Sequence, residues 1–145
     1  MKDSDTVLDY GCGTGSVSCQ FSSLVKDIHA IDISSKMIAI SKEKAALGKI
    51  ENVYFEQSDI FDKKYSSDSY DVILAFNMLH TVSSPQDVTQ RINEILNPDG
   101  LFFMKYLTYR LEDLRFSLIR VIEPGISVVK LFTTSQSVPL TLSNI

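Results

Sequence analysis

The chain is poor in several features that would each mark a class of protein. It carries only two cysteines, Cys12 and Cys19. They are too few and too widely spaced for a disulfide framework or a zinc knuckle, so a reducing, cytoplasmic setting is expected. It has no uncharged apolar run of about 18 residues, and no membrane span is expected. The opening Met1-Lys2-Asp3-Ser4-Asp5 lacks the basic-then-apolar pattern of a secretory signal. Basic residues are not in excess: the net charge is −4, with lysines and carboxylates interspersed. Phosphate contacts supply most nucleic-acid affinity, so nucleic acid is not an expected partner. There is no internal repeat, no low-complexity segment and no cluster of His, Asp and Glu that suggests a metal.

What is present is the balance of a globular domain: 145 residues, 44% apolar and 22% charged, enough to bury a core. Thr6 to Tyr10 is a short apolar run that stops at glycines and reads as a buried strand. Val17, Phe21 and Leu24 make a helical stripe between Ser16 and Val25. Ile28 to Ile33 reads as a second strand. Ser34 caps a helix with Met37, Ile38, Ala45 and Leu47 on its apolar face and Gly48 at its end. The lysines Lys36, Lys42, Lys44 and Lys49 fall on the solvated face of that helix.

Val53-Tyr54-Phe55 is a third strand, the polar 62–69 stretch a surface loop, and Tyr70 to Phe76 a fourth strand. Ser84-Pro85-Gln86-Asp87 is a helix start, with a capping serine, proline in the first turn and a favourable carboxylate. That helix reaches about Leu96 and stops at Asn97-Pro98-Asp99-Gly100. Leu101 to Leu107 is a fifth strand, and Leu111 to Ile122 is helical by period. The alternation implies parallel β-α-β units. Residues 1–132 are expected to form one domain and 133–145 an irregular tail.

In such a sheet, ligands bind at the carboxyl ends of strands. Gly11-Cys12-Gly13-Thr14-Gly15 sits there, after the first strand and before the first helix. Asp32, at the end of the second strand, can accept both hydroxyl hydrogens of a ribose. Loop and acid together point to an adenosine-type nucleotide without saying which. Three features separate the choices. The glycines follow GxGxG, whereas pyrophosphate sites usually have GxGxxG. Asp9, just before the loop, opposes a pyrophosphate and suits an ammonium or sulfonium, and can also brace the loop through backbone amides, the two roles being compatible. Asp59-Ile60 offers a carboxylate for an exocyclic amine and an apolar wall for a ring.

These segments resemble the class I S-adenosylmethionine-dependent methyltransferases, and look like their small-molecule, type 11-like branch of quinone and sterol-type methylases. Val7 to Gly15 looks like the first motif, and Ile31-Asp32-Ile33-Ser34 with Met37 the ribose-binding second. Gln57-Ser58-Asp59-Ile60 is similar to the adenine-binding segment. Tyr70 to Ile73 leading to Asn77-Met78-Leu79-His80 resembles the fourth-strand motif, and Leu96 to Leu101 the turn into the fifth strand. The resemblance covers about three-quarters of the chain. It implies a Rossmann-like doubly wound sheet in the order 3-2-1-4-5 and S-adenosyl-L-methionine as cofactor. It assigns cofactor contacts to Asp9, Gly11, Cys12, Gly13, Asp32, Ile33, Met37, Asp59, Ile60 and Asn77. The implied reaction is direct displacement by a small-molecule acceptor, with no metal.

His80, the only titratable group near the implied methyl position with a pKa near neutrality, is the candidate general base for a hydroxyl acceptor; the alternative is that it lines the pocket or caps a helix. His29 reads as structural, and neither cysteine as a nucleophile. The helices that precede the first strand in this family, and its closing helix and hairpin, are not recognisable. The chain therefore reads as truncated at both ends, with strand five an exposed edge that favours a homo-oligomer. The rival readings are a non-catalytic nucleotide-binding fragment and a nicotinamide-dependent oxidoreductase.

Overall fold

The sheet is built outward from β1 (Thr6–Tyr10), whose last four residues are buried. In a computed structural model, residues 1–105, 117–119, 129–133 and 136–140 are described. After β1 come α1 (Ser16–Phe21), β2 (Asp27–Asp32), α2 (Ser35–Leu47) and β3 (Val53–Gln57). They are followed by β4 (Tyr70–Phe76), α3 (Pro85–Ile95) and β5 (Leu96–Lys105). Short 3-10 turns span Ser22–Leu24 and Leu79–Thr81. The order β3-β2-β1-β4-β5 is parallel throughout, as the resemblance implies.

Side chains alternate across a strand with period two, and each face has its own core. On one face Leu8, Ile31, Ile73 and Phe102 meet Val88, Ile92 and Ile95 of α3, together with Ile60 and Tyr65 of the 58–69 crossover. On the other, Val7, Ile28, Ala30, Phe55 and Leu74 meet Ile38 and Ala45 of α2. Each fully buried Leu or Ile contributes about 1.5–3 kcal/mol relative to exposure.

Several local expectations change. Helix α1 ends at Phe21 and tightens into the 3-10 turn, so its predicted last stretch is not α-helical. In α2 the inward face is Ile38, Ser41 and Ala45; Met37 is 37% and Leu47 80% exposed. Ser34 does cap α2, accepting from Met37 N at 3.4 Å. Ser84 makes no side-chain cap bond at α3. Lys44 leaves the solvated face and donates to Ser16 Oγ at 2.6 Å, tying α2 to the start of α1. Strand β5 begins five residues early, because Leu96 pairs with Tyr70 before the chain bulges and resumes at Leu101 opposite Val72. Asn97 Nδ2 holds that bulge by donating to Asp71 Oδ1 at 2.8 Å.

The largest revision concerns the end of the sheet. Ser117–Ile119, inside the stretch that reads as helical, is instead β6, paired antiparallel with Phe102 to Met104 of β5. It supplies partners to backbone groups that an edge strand would expose. The expectation of a bare β5 edge, and of a homo-oligomer built on it, does not hold there. Farther on, β7 (Val129–Thr133) and β8 (Gln136–Leu140) pair antiparallel as a two-stranded hairpin, part of it within the segment expected to be irregular.

Candidate active site

A cleft of about 510 Å³ opens at the carboxyl ends of the central strands. Tyr10 and Gly11 line it from β1, Asp32 and Ile33 from β2, and Asp59 and Phe61 from the crossover. Beyond β4 it is lined by Asn77 and Met78, then by Thr81 to Ser84, and by Asp87 and Val88 of α3. The volume is in the range of small-molecule sites.

The glycine loop is fastened by its own backbone. The amides of Gly11 and Cys12 both donate to Ile31 O, at 2.9 and 3.0 Å, and Gly15 N donates to Cys12 O at 2.9 Å. The glycines at 13 and 15 both have positive φ, 53° and 71°, but serve different ends. A Cβ on Gly15 would lie 2.6 Å from the Phe55 ring and 2.8 Å from Ser41 Cβ, so glycine there lets α1 sit on α2 and β3. A Cβ on Gly13 would meet nothing within 4 Å. Only there does the missing side chain leave open space beside the loop. Gly11 admits Met78, whose Cβ would be 2.8 Å from an added methyl.

Asp32 is pre-positioned. Its Oδ2 accepts from Gly13 N and its Oδ1 from Ser34 N, both at 2.9 Å. A carboxylate has about four lone-pair sites, so both oxygens retain capacity toward the cleft. Asp59 Oδ1 accepts from Phe61 N at 2.9 Å, which folds the crossover so that both residues face the cleft. Asp87 is the third carboxylate, and no lysine or arginine is among the described lining residues. Burial raises the Tyr10 hydroxyl to about 12, helped by the charges of Asp59 and Asp32, so it remains a neutral donor.

Asp9 is elsewhere. The period of two puts it on the face of Val7, beneath α1, where it is 2% exposed and accepts from Ser18 Oγ. Burial raises its carboxyl to about 6, against the lowering effect of Ser18, with a smaller push from Asp32. The partner is a side chain of α1 and not the loop amides, so Asp9 ties β1 to the first helix.

Of the residues assigned by resemblance, the structure brings Gly11, Asp32, Ile33, Asp59 and Asn77 together around the cleft, with Gly13 behind Asp32. It does not bring Asp9, Cys12, Met37 or Ile60 to the lining. Cys12 is buried in the α2-side core, and burial pushes its thiol up, so it is inert. Ile60 is fully buried in the opposite core, and its neighbour Phe61, half exposed, is the apolar crossover residue that lines the cleft. Met37 lies off the inward face of α2 and is 37% exposed. The His80 side chain lies outside the described residues. His29 is structural, its Nδ1 lying 3.0 Å from Tyr70 Oη. Sequence reading missed Tyr10, Phe61 and Asp87. The signal for Tyr10 was present: alternation along β1 puts it opposite Asp9.

Asn77 adopts φ +56°, a left-handed conformation that asparagine tolerates better than most residues. It turns the chain sharply at the end of β4, directly into the cleft wall.

Residues 1–125 match the family model of a methyltransferase domain. Over 114 residues the chain is 28% identical to ubiquinone biosynthesis O-methyltransferase of Haemophilus ducreyi, covering 73% of this chain and 47% of that protein. Over 103 residues it is 32% identical to ribosomal protein L11 methyltransferase of Acetivibrio thermocellus, covering 70% and 31%. The chain thus spans less than half the length of these curated relatives. Its fold superposes on a SAM-dependent methyltransferase from Aquifex aeolicus with a TM-score of 0.66, at 24% identity, over 71% of this chain and 56% of the other. No helix among the described residues is long and apolar enough to cross a membrane. The chain belongs to the methyltransferase-domain family.

Proposed function

We propose that this chain holds S-adenosylmethionine in the cleft and transfers its methyl group to a small-molecule acceptor. The observation that carries the reading is Asp32, fixed by two backbone amides at the rim of a cleft whose described lining has three carboxylates and no lysine or arginine. That charge suits a cofactor bearing an ammonium and a sulfonium. It opposes a nicotinamide dinucleotide, whose pyrophosphate needs loop amides, and the Gly13 amide is already given to Asp32.

The residues present fit the cofactor. Asp32 would accept from the ribose hydroxyls and Asp59 from the adenine amine. Ile33 and Phe61, 71% and 50% exposed, supply apolar surface for the ring. The open space at Gly13 admits the approach of a ligand to the backbone. When bound, S-adenosylmethionine supplies a methyl carbon on a positively charged sulfur, already activated for displacement. The chain's own contribution is to align an acceptor with that carbon and to exclude water. Thr81 to Ser84, with Asp87 and Val88, supply the remaining wall for the acceptor. His80, in the turn between Met78 and Thr81, is proposed as the base for a hydroxyl acceptor on its sequence position.

The same cleft charge favours neutral or cationic acceptors over carboxylates and phosphates. Incubation with S-adenosylmethionine and a panel of phenols, amines and carboxylates, read as release of S-adenosylhomocysteine, tests this. Turnover confined to the first two classes is expected. Turnover of carboxylates alone would contradict it. The two free cysteines fit a reducing, cytoplasmic setting.

A further inference from the structure

The crossover 58–69 carries Asp59 and Phe61 into the cleft but contains no helix or strand of its own. Short turns pair some of its backbone carbonyls locally, Asp59 O and Asp62 O among them. One side chain from outside the segment reaches three of its carbonyls. Arg91, on α3, donates from Nε to Ile60 O at 3.2 Å and from one terminal nitrogen to Tyr65 O at 2.6 Å and Asp62 O at 3.5 Å. Its other terminal nitrogen pairs with Glu94 at 3.1 Å. The Arg91 side chain is only 17% exposed, and three of its contacts reach 26 to 31 residues back along the chain. Ile60 and Tyr65 are themselves buried in the core beneath, so the crossover is gripped on both sides.

We propose that Arg91 is a positioning residue for adenine recognition: its guanidinium fixes the carbonyls on either side of Phe61 and thereby sets Asp59 toward the adenine amine. This rests on the reading of the cleft as the S-adenosylmethionine site. The carbonyl it holds at Ile60 belongs to the residue between Asp59 and Phe61, so a shift there moves both. The planar fork matters, because three carbonyls are reached from two nitrogens in fixed relation; a lysine ammonium is a single point. Helix α3 also lines the cleft through Asp87 and Val88, one turn before Arg91. The same helix thus carries the acceptor wall and the clamp on the adenine wall.

The test compares the unaltered chain with Arg91→Lys, Arg91→Met and the control Glu94→Gln. Binding of S-adenosylhomocysteine and of its inosine counterpart, which lacks the exocyclic amine, is measured by calorimetry. Hydrogen exchange is followed at the Asp62 and Tyr65 amides, which bond to Asp59 O and Asp62 O within the crossover. Both Arg91 variants are expected to exchange faster there in the ligand-free state and to lose about tenfold in adenosyl affinity, with little loss for the inosyl compound. Glu94→Gln should leave the preference intact, since it removes only the exposed pair. Equal weakening of both ligands, or faster exchange with an unchanged preference, would make Arg91 merely structural and overturn the inference. Failure of the unaltered chain to bind either compound, with the exchange difference still present, would instead bring down the cofactor reading and the inference with it.

Discussion

The glycine loop 11–15 and the crossover 58–69 border the same cleft, yet they are held by different physics. The loop is fastened by main-chain bonds to Ile31 and by the absence of side chains where Met78, Phe55 and Ser41 press in. The crossover has only short turn bonds of its own, such as Asp62 N to Asp59 O, and is held from outside by Arg91, more than two dozen residues away, with Ile60 and Tyr65 as buried anchors. A wall made from backbone and glycine tolerates almost no change at its own residues. A wall made by a distant side chain tolerates change along its length and fails at one remote point.

The largest way to break this contrast is within the loop. Gly15→Ala would combine a left-handed backbone with a collision against Phe55 and Ser41, and should cost about 2–5 kcal/mol of stability. Gly13→Ala carries only the backbone term, about 1–2 kcal/mol, but should weaken S-adenosylhomocysteine binding, because its methyl enters open space beside the loop. Urea denaturation of both separates the packing glycine from the ligand-facing one. Equal losses of stability would erase the distinction.

Asp9 sharpens the comparison in the other direction. Its carboxyl titrates near 6 in the fold against 3.8 in the unfolded chain. The native state then binds the proton more tightly, so its stability falls as pH rises from about 4 to about 6 and is flat above. Two pKa units correspond to at most about 3 kcal/mol. Asp9→Asn keeps an acceptor for Ser18 and should raise stability at pH 7 by up to that amount while flattening the acid-side pH profile. A variant less stable at pH 7 would show that the carboxylate charge is needed where it is.

A smaller effect probes the crossover. The Tyr65 hydroxyl is buried with no hydrogen-bond partner among the described residues. Tyr65→Phe should leave stability unchanged or raise it by up to about 1 kcal/mol. A loss above that would mean the hydroxyl is satisfied and helps hold the crossover.

The difference between the two walls also explains what could be read from sequence. The loop, Asp32 and the parallel order are encoded locally, in glycine spacing, strand runs and an acid at a strand end. Asp9 could have been assigned to the wrong face or the right one by counting alternate residues along β1, and the face of Val7 is where it lies. What could not be read depends on contacts between distant segments. Arg91 is one charged residue on an amphipathic helix until its partners at Ile60, Asp62 and Tyr65 are known. Ser117 to Ile119 has a helical period and becomes a strand because β5 offers an unpaired edge.

An S-adenosylmethionine site in this cleft would be organised by Asp32. Calorimetric titration with S-adenosylmethionine, S-adenosylhomocysteine and NAD in parallel, on the unaltered chain and on Asp32→Ala, tests that most directly. Micromolar binding of the two sulfur compounds, absent for NAD and weakened at least tenfold by the substitution, is the predicted result, tenfold being about 1.4 kcal/mol. Binding of NAD, or binding of the sulfur compounds that survives Asp32→Ala undiminished, would contradict it.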